Sequence, residues 1–189
     1  MKLSYKSFWY KSTSVLRYVL LRMWYRNRFH CPGWSMIGQN CGIHIFPKGH
    51  IHCDERIIVD DHVMLFAKGR LKLGKRFCIN RYSRIVAHES IEIGDHVTIG
   101  QMVSILDHDH RYLMQQDALR LDGYRTAPIR IGSNVWIGDK CTILKGVTIG
   151  DNVVVGAHTL VHKDVPSGVV VAGQPFKVLK ELTSQKQPS

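Results

Sequence analysis

The chain has 189 residues, 44% of them hydrophobic, which suits one domain with a buried core and a small appendage. Its formal net charge of +11 points to an anionic partner. Five scattered cysteines without C-x-x-C spacing argue against a disulfide framework or a zinc ribbon, and fit a reducing cytoplasm.

The charge is concentrated at the start. Lys2, Lys6, Lys11, Arg17, Arg22, Arg26, Arg28 and Lys48 all precede the first acid, Asp54. Within an arm spanning 1–30, residues 5–28 read as an amphipathic helix: Phe8, Val15, Leu16, Val19, Leu20 and Met23 recur at helical spacing, with Trp9, Tyr18, Trp24 and Tyr25 at the margins. Basic residues beside interfacial aromatics suit peripheral contact with an anionic membrane. A cap over the first coil of a repeat domain is the other reading, and the sequence leaves both open. The longest apolar run, Tyr18–Leu21, is too short for a signal-peptide core or for a span of about 20 residues.

A repeat organises residues 31–182. Aliphatic residues recur every six positions at Val59 and Leu65; at Leu73, Ile79 and Ile85; at Ile93, Ile99 and Ile105; and at Ile131, Ile137, Ile143, Ile149, Val155 and Val161. Neither helical period nor strict alternation produces a period of six. A solenoid does: each hexapeptide supplies a short strand and a corner, and three make one triangular coil. Glycine follows four of the downstream aliphatics, at Gly132, Gly138, Gly150 and Gly156. Glycine, Asn and Asp tolerate the positive φ that tight corners can require. Upstream blocks start 20 residues apart (73, 93) and downstream blocks 18 apart (131, 149), so two extra residues should bulge at an upstream corner. Residues 106–130 break the period and read as one long irregular loop, of the kind that is usually functional or disordered. Residues 183–189 form a polar tail.

The segments IGSNVWIG, GVTIGDNVVVGA and VHKDVPSGVVVAGQPFKVLKEL, together with the hexapeptide column, resemble the left-handed parallel β-helix acyltransferases. Within that superfamily the similarity is to the galactoside, maltose and xenobiotic O-acetyltransferases. It covers about residues 70–182, and more weakly 35–69. The resemblance implies a mainly β fold: a left-handed parallel β-helix, with the N-terminal amphipathic helix and a short C-terminal helix. It also implies a homotrimer with active sites between adjacent subunits, acetyl-CoA as co-substrate with no metal, and a sugar hydroxyl as acceptor. No nucleic acid is expected as a partner.

Acetyl transfer from a thioester to a hydroxyl needs a base, a donor for the oxyanion and a grip on the carrier's phosphates. The run DHDH, 107–110, stands at the root of the long loop, and His110 matches the family's catalytic histidine; His108 is second. Either Asp107 or Asp109 is placed to orient the ring. By the same resemblance Asn80 lies near the reacting centre. His88 falls on an acceptor-contacting position, where it replaces an acid. The backbone N–H of Asp139 faces the thioester, and Trp136, Ala157, His162, Lys163, Lys177 and Lys180 line the coenzyme A channel. The acid-to-histidine change at His88, and the lack of the family's N-terminal acceptor residues, argue against a simple galactoside. A bacterial surface polysaccharide or its lipid-linked precursor is expected, at the inner face of the membrane. A small sugar or antibiotic as acceptor, a silent scaffold, and a zinc enzyme built on His62, His88, His96, His108 and His110 are the competing readings.

Overall fold

In the computed structural model, residues 5–182 are described, with side chains from 13 onward; the polar tail 183–189 and the side chains of Lys6, Phe8, Trp9 and Lys11 lie outside the described residues. The chain winds into a triangular prism of parallel strands. One face is built from Phe29–His30, His50–Cys53, Arg70–Leu73, Ser90–Ile93, Ile129–Ile131 and Thr148–Ile149. The second begins at Met36–Ile37 and runs through Cys78–Ile79, Thr98–Ile99 and Trp136–Ile137 to Val169–Gly173. The third stacks Gly42–Ile45, Met64–Ala67, Arg84–Ala87, Ser104–Leu106, Thr142–Ile143 and Leu160–Val161. Every residue of the six-residue column, from Val59 to Val161, is at most 3% exposed. Like stacks on like: Leu73 pairs with Ile93, Ile93 with Ile131, and Ile131 with Ile149. The core is therefore a continuous rod of aliphatic side chains, and no single coil can bury its own share of it.

At these corners positive φ falls two residues after the glycines, on Asn134 (57°) and Asn152 (56°), as the corner chemistry of Asn allows, and on Lys140 (59°) and His158 (60°), which the sequence did not single out. The glycines are needed for close approach. A Cβ on Gly138 would stand 2.7 Å from the Ala157 nitrogen, and one on Gly100 would stand 2.4 Å from Asp139 Oδ1. Corner amides left without a strand partner are taken up by side chains of the next coil: Lys75 N–H donates to Asp95 Oδ1 at 2.8 Å, and Ser133 N–H to Asp151 Oδ1 at 2.6 Å.

The first coil has no coil before it, so its outer backbone groups face an open edge. Helix α1, Tyr5–Tyr25, covers that edge. The face it turns inward is only in part the apolar stripe of the sequence reading: Val19 packs against the core, together with Leu21 and Tyr25. Ser14 and Tyr18 are buried, whereas Leu16, Leu20, Met23 and Trp24 are exposed at 54–79%. The open edge presents unpaired peptide groups, and polar side chains satisfy them. Ile37 N–H donates to Ser14 Oγ at 2.7 Å, Arg17 Nε donates to the Ile37 carbonyl at 3.0 Å, and the Tyr18 hydroxyl donates to the Cys31 carbonyl at 2.6 Å. The Tyr25 hydroxyl and Arg28 Nη1 reach the carbonyls of Ile43 and Ile45 in the same way. The capping reading therefore describes α1. Membrane contact would fall on its outer face, and no helix among the described residues is long and apolar enough to cross a membrane.

Two further expectations are corrected. The C-terminal segment Phe176–Glu181 is a strand, not a helix. It pairs antiparallel with Val169–Gly173, because the last coil's edge on the second face needs backbone partners and a helix would supply none. Residues 106–130 are not an irregular loop: His108–Gln115 and Ala118–Thr126 form a two-stranded antiparallel hairpin, with positive φ at the turn residues Gln116 and Asp117. The hairpin projects from the prism, and leaves Tyr112, Met114, Leu119 and Leu121 exposed at 64–71%.

Candidate active site

The irregularities of the prism gather at one corner, between the third and first faces. Inward positions there are eight apart rather than six, from Leu65 to Leu73 and from Ile85 to Ile93, and the hairpin leaves from the same corner. The two extra residues per coil push side chains outward in register. Ile45 pairs with Ala67 and Ala67 with Ala87, so one residue further along Phe46, Lys68 and His88 follow one another from coil to coil. His108 is the next in that column. Its ring lies on that of His88, with centroids 3.7 Å apart and planes 8° apart.

Asp107 holds this corner together. The hairpin takes the chain away just where the next rung should form, and the fully buried Asp107 carboxylate replaces the missing carbonyls. It accepts the N–H groups of His88 (2.8 Å), Glu89 (2.7 Å) and Ser90 (2.9 Å). The same carboxylate stands 3.4 Å from His108 Nδ1, a nitrogen buried without a well-aligned hydrogen bond. Asp109 is engaged elsewhere, with its carboxylate 2.7 Å from Lys145 Nζ. Neither acid bonds to His110, which is exposed on the hairpin and touches Tyr124 across it, with centroids 4.7 Å apart. Tyr124 also stands edge-on to His88 at 4.5 Å and to His108 at 5.4 Å.

Burial lowers the pKa of His88 from the usual 6.5 to about 4, with the neighbouring His108 and the Lys68 ammonium adding to the effect. Burial also lowers His108, against the opposing pull of Asp107. Both rings are therefore neutral at physiological pH, the state in which an imidazole accepts a proton. Among the described residues no group of three or more His, Cys, Asp or Glu is arranged to hold a metal, and His62 and His96 lie at the other two corners.

The remaining predicted residues fall into two sets. Asn80 is half-buried at the end of Cys78–Ile79, and Asp139 lies in the same corner two coils on, between the second and third faces. The Asp139 carboxylate accepts Gln101 N–H and its carbonyl accepts His158 N–H, both at 2.8 Å, which fixes that peptide. Trp136, 57% exposed, and Ala157, also exposed, belong to the same side. The other set gathers at the C-terminal end: His162 packs on Phe176 (5.8 Å), Lys163 Nζ lies 5.3 Å from the same ring, and Lys177 and Lys180 are exposed along the last strand. Asn80 and Asp139 do not meet His88 and His108 within one chain. They occupy opposite ends of the third face, on the order of 15 Å apart for a strand and its flanks at about 3.3 Å per residue. Sequence reading missed Phe46, Phe66, Lys68 and Tyr124. The eight-residue spacings were the available signal, since they mark the corner at which these side chains collect.

A triangular prism of stacked hexapeptides with one elaborated corner defines the class, a hexapeptide-repeat β-helix. Residues 128–163 match the family described as bacterial transferase hexapeptide (six repeats). The galactoside O-acetyltransferase of Escherichia coli (strain K12) is 53% identical over 58 residues, which is 31% of this chain and 29% of that protein. A protein of the same organism named for O-acetyl transfer in lipopolysaccharide biosynthesis, WbbJ, is 32% identical over 94 residues, 46% of this chain and 48% of that one. The matched segments span less than half the length of these curated relatives. In fold, the chain is similar to AntD, an N-acyltransferase from Bacillus cereus, solved as a variant with dTDP and coenzyme A. There the TM-score is 0.73 at 19% identity, over 87% of this chain and 89% of that one.

Proposed function

We propose that the protein transfers an acetyl group from acetyl-CoA to a sugar hydroxyl, with a histidine of the elaborated corner as general base. The observation that carries this reading is the His108 environment: a neutral, largely buried imidazole with Nδ1 turned to a fixed carboxylate. Nε2 is then the nitrogen that takes the proton. Sequence position favours His110; burial and the neighbouring acid favour His108, and we assign the base to His108. The acceptor hydroxyl gives its proton to Nε2 as its oxygen attacks the thioester carbonyl. The tetrahedral oxyanion is held by a backbone N–H, for which Asp139 is the candidate. Its collapse releases the coenzyme A thiolate, which recovers the proton from the imidazolium. The exposed Trp136, Ala157, His162, Lys163, Lys177 and Lys180 offer an apolar contact and three ammonium groups to a long carrier with several phosphates.

Because Asn80 and Asp139 lie a full face away from His108, a complete site takes the histidine corner of one copy and the second-face corner of another. A homotrimer satisfies this with three equivalent interfaces. The exposed apolar hairpin supplies a surface for such packing. The acceptor we favour is a bacterial surface glycan or its precursor, the activity for which WbbJ is named.

The test is acetyl-CoA consumption with a panel of glycan acceptors. Replacing a general base should reduce turnover about 10²- to 10⁴-fold, so His108→Ala should fall that far while His110→Ala stays within about tenfold. The reverse ranking would return the role to His110, and undiminished turnover in both variants would overturn the histidine mechanism.

A further inference from the structure

The corner that carries His88 and His108 continues toward the N-terminus as a ladder of rings with one cation in it. Phe46 and Phe66 are in contact (centroids 4.6 Å), and Phe66 reaches the His88 ring at 6.0 Å. The Lys68 ammonium lies among them, 4.7 Å from the Tyr124 centroid and 5.8 Å from those of Phe46 and Phe66. Among the described residues no carboxylate pairs with Lys68, although ion pairs are made elsewhere on the same prism, as between Arg81 and Asp60 at 3.1 Å. The nearby Asp107 carboxylate is committed to three backbone N–H groups. Arg28 adds a second cation at the far end, its Nη1 donating to the Phe46 carbonyl at 3.1 Å.

We infer that this ladder is the acceptor platform, and that it takes a sugar bearing an anionic group, with the sugar ring on Phe46 and Phe66 and the anion on Lys68. The inference rests on the transferase reading above in one respect, that His108 marks the reacting end. An aromatic pair exposed at one side gives the C–H face of a sugar a flat apolar seat. A cation held over rings, without a carboxylate partner, keeps its full attraction for an incoming anion. Its place between the rings and the histidines sets the distance from anion to reacting hydroxyl, so the platform selects both charge and position. A carboxylate and a phosphate share this chemistry.

Two measurements test it. The first is binding by titration calorimetry, with coenzyme A present, of glucuronate, glucose 1-phosphate and glucose. The two anions should bind more tightly than glucose, and Lys68→Met should weaken them about tenfold or more while Lys68→Arg restores most of the loss. The stronger of the two anions identifies the group. The second is turnover with the same sugars. For the anionic ones Lys68→Met should raise KM with kcat little changed, and added salt should reduce the wild-type preference. Equal binding of glucose and both anions, or binding unaffected by Lys68→Met in a variant that unfolds at the wild-type temperature, overturns the platform. Lys68-dependent binding without acetyl transfer to any acceptor would instead leave the platform standing and overturn the transferase reading.

Discussion

The stacked pair His88 and His108 makes a sharp demand on protonation. Two imidazoles face to face at 3.7 Å in a partly buried site stay neutral, because a proton on either is poorly solvated and repels its neighbours. The unfolded chain takes up protons near pH 6.5, whereas the folded chain delays uptake at His88 to about 4. The unfolded state therefore binds more protons between those values. The pair takes nothing from stability above pH 6.5, and stability falls as pH drops from there toward 4. His88→Gln should remove part of this acid loss. The check is the urea midpoint at pH 7.5 and pH 5.0: the variant should lose less between the two than the parent, and an equal loss would place the acid sensitivity elsewhere. Residue identity announced a titratable cluster in this corner, but not its order. DHDH names two acids and two bases, and only burial separates Asp107, a clasp for three amides, from Asp109, an exposed partner of Lys145.

At the scale of elements, α1 shows why an amphipathic pattern predicted only part of the buried face, Val19 but not Ser14 or Tyr18. The pattern assumes that an apolar surface awaits the helix. The end of a parallel solenoid presents backbone donors and acceptors instead, so Ser14, Arg17 and Tyr18 turn inward. Tyr18→Phe keeps the ring packing but leaves the Cys31 carbonyl unpaired. It should cost about 1–2 kcal/mol, read from chemical denaturation, with little change in any activity measured at the distant corner. A loss below about 0.3 kcal/mol would mean that water replaces the hydroxyl and that the cap is held by packing alone. The hairpin teaches a related lesson. Its alternation is weak in the sequence because its residues are exposed on both faces, and periodicity is legible only where one face is buried.

For the whole molecule, the separation of Asn80 from His108 by one face of the prism is the fact with most consequence. The shared site proposed above can be tested by complementation. His108→Ala and Asn80→Ala homo-oligomers should each be nearly inactive. Mixed subunits, denatured and reassembled in equal amounts, should regain activity in about a quarter of their sites, those that draw a native His108 from one subunit and a native Asn80 from the next. Activity assays before and after mixing read this directly, and mixed assemblies no more active than their parents would place the whole site within one chain.

The period of six, the inward column and the coil boundaries were settled by sequence, because each aliphatic residue answers to its own position in a repeating unit and buries itself against its copy in the next coil. The family resemblance drew attention to DHDH and to Asn80 for the same reason, since local motifs ride on that frame. Tertiary structure alone decided which corner gathers Phe46, Lys68, His88 and His108. These residues are about 20 apart along the chain, and they meet only because the solenoid stacks them one coil at a time. It also decided which histidine is buried, which acid clasps the corner and which pairs with Lys145, and which face of α1 turns inward. Each of those outcomes depends on what the neighbouring coil leaves unpaired, and that is a property of the packed prism rather than of any segment within it.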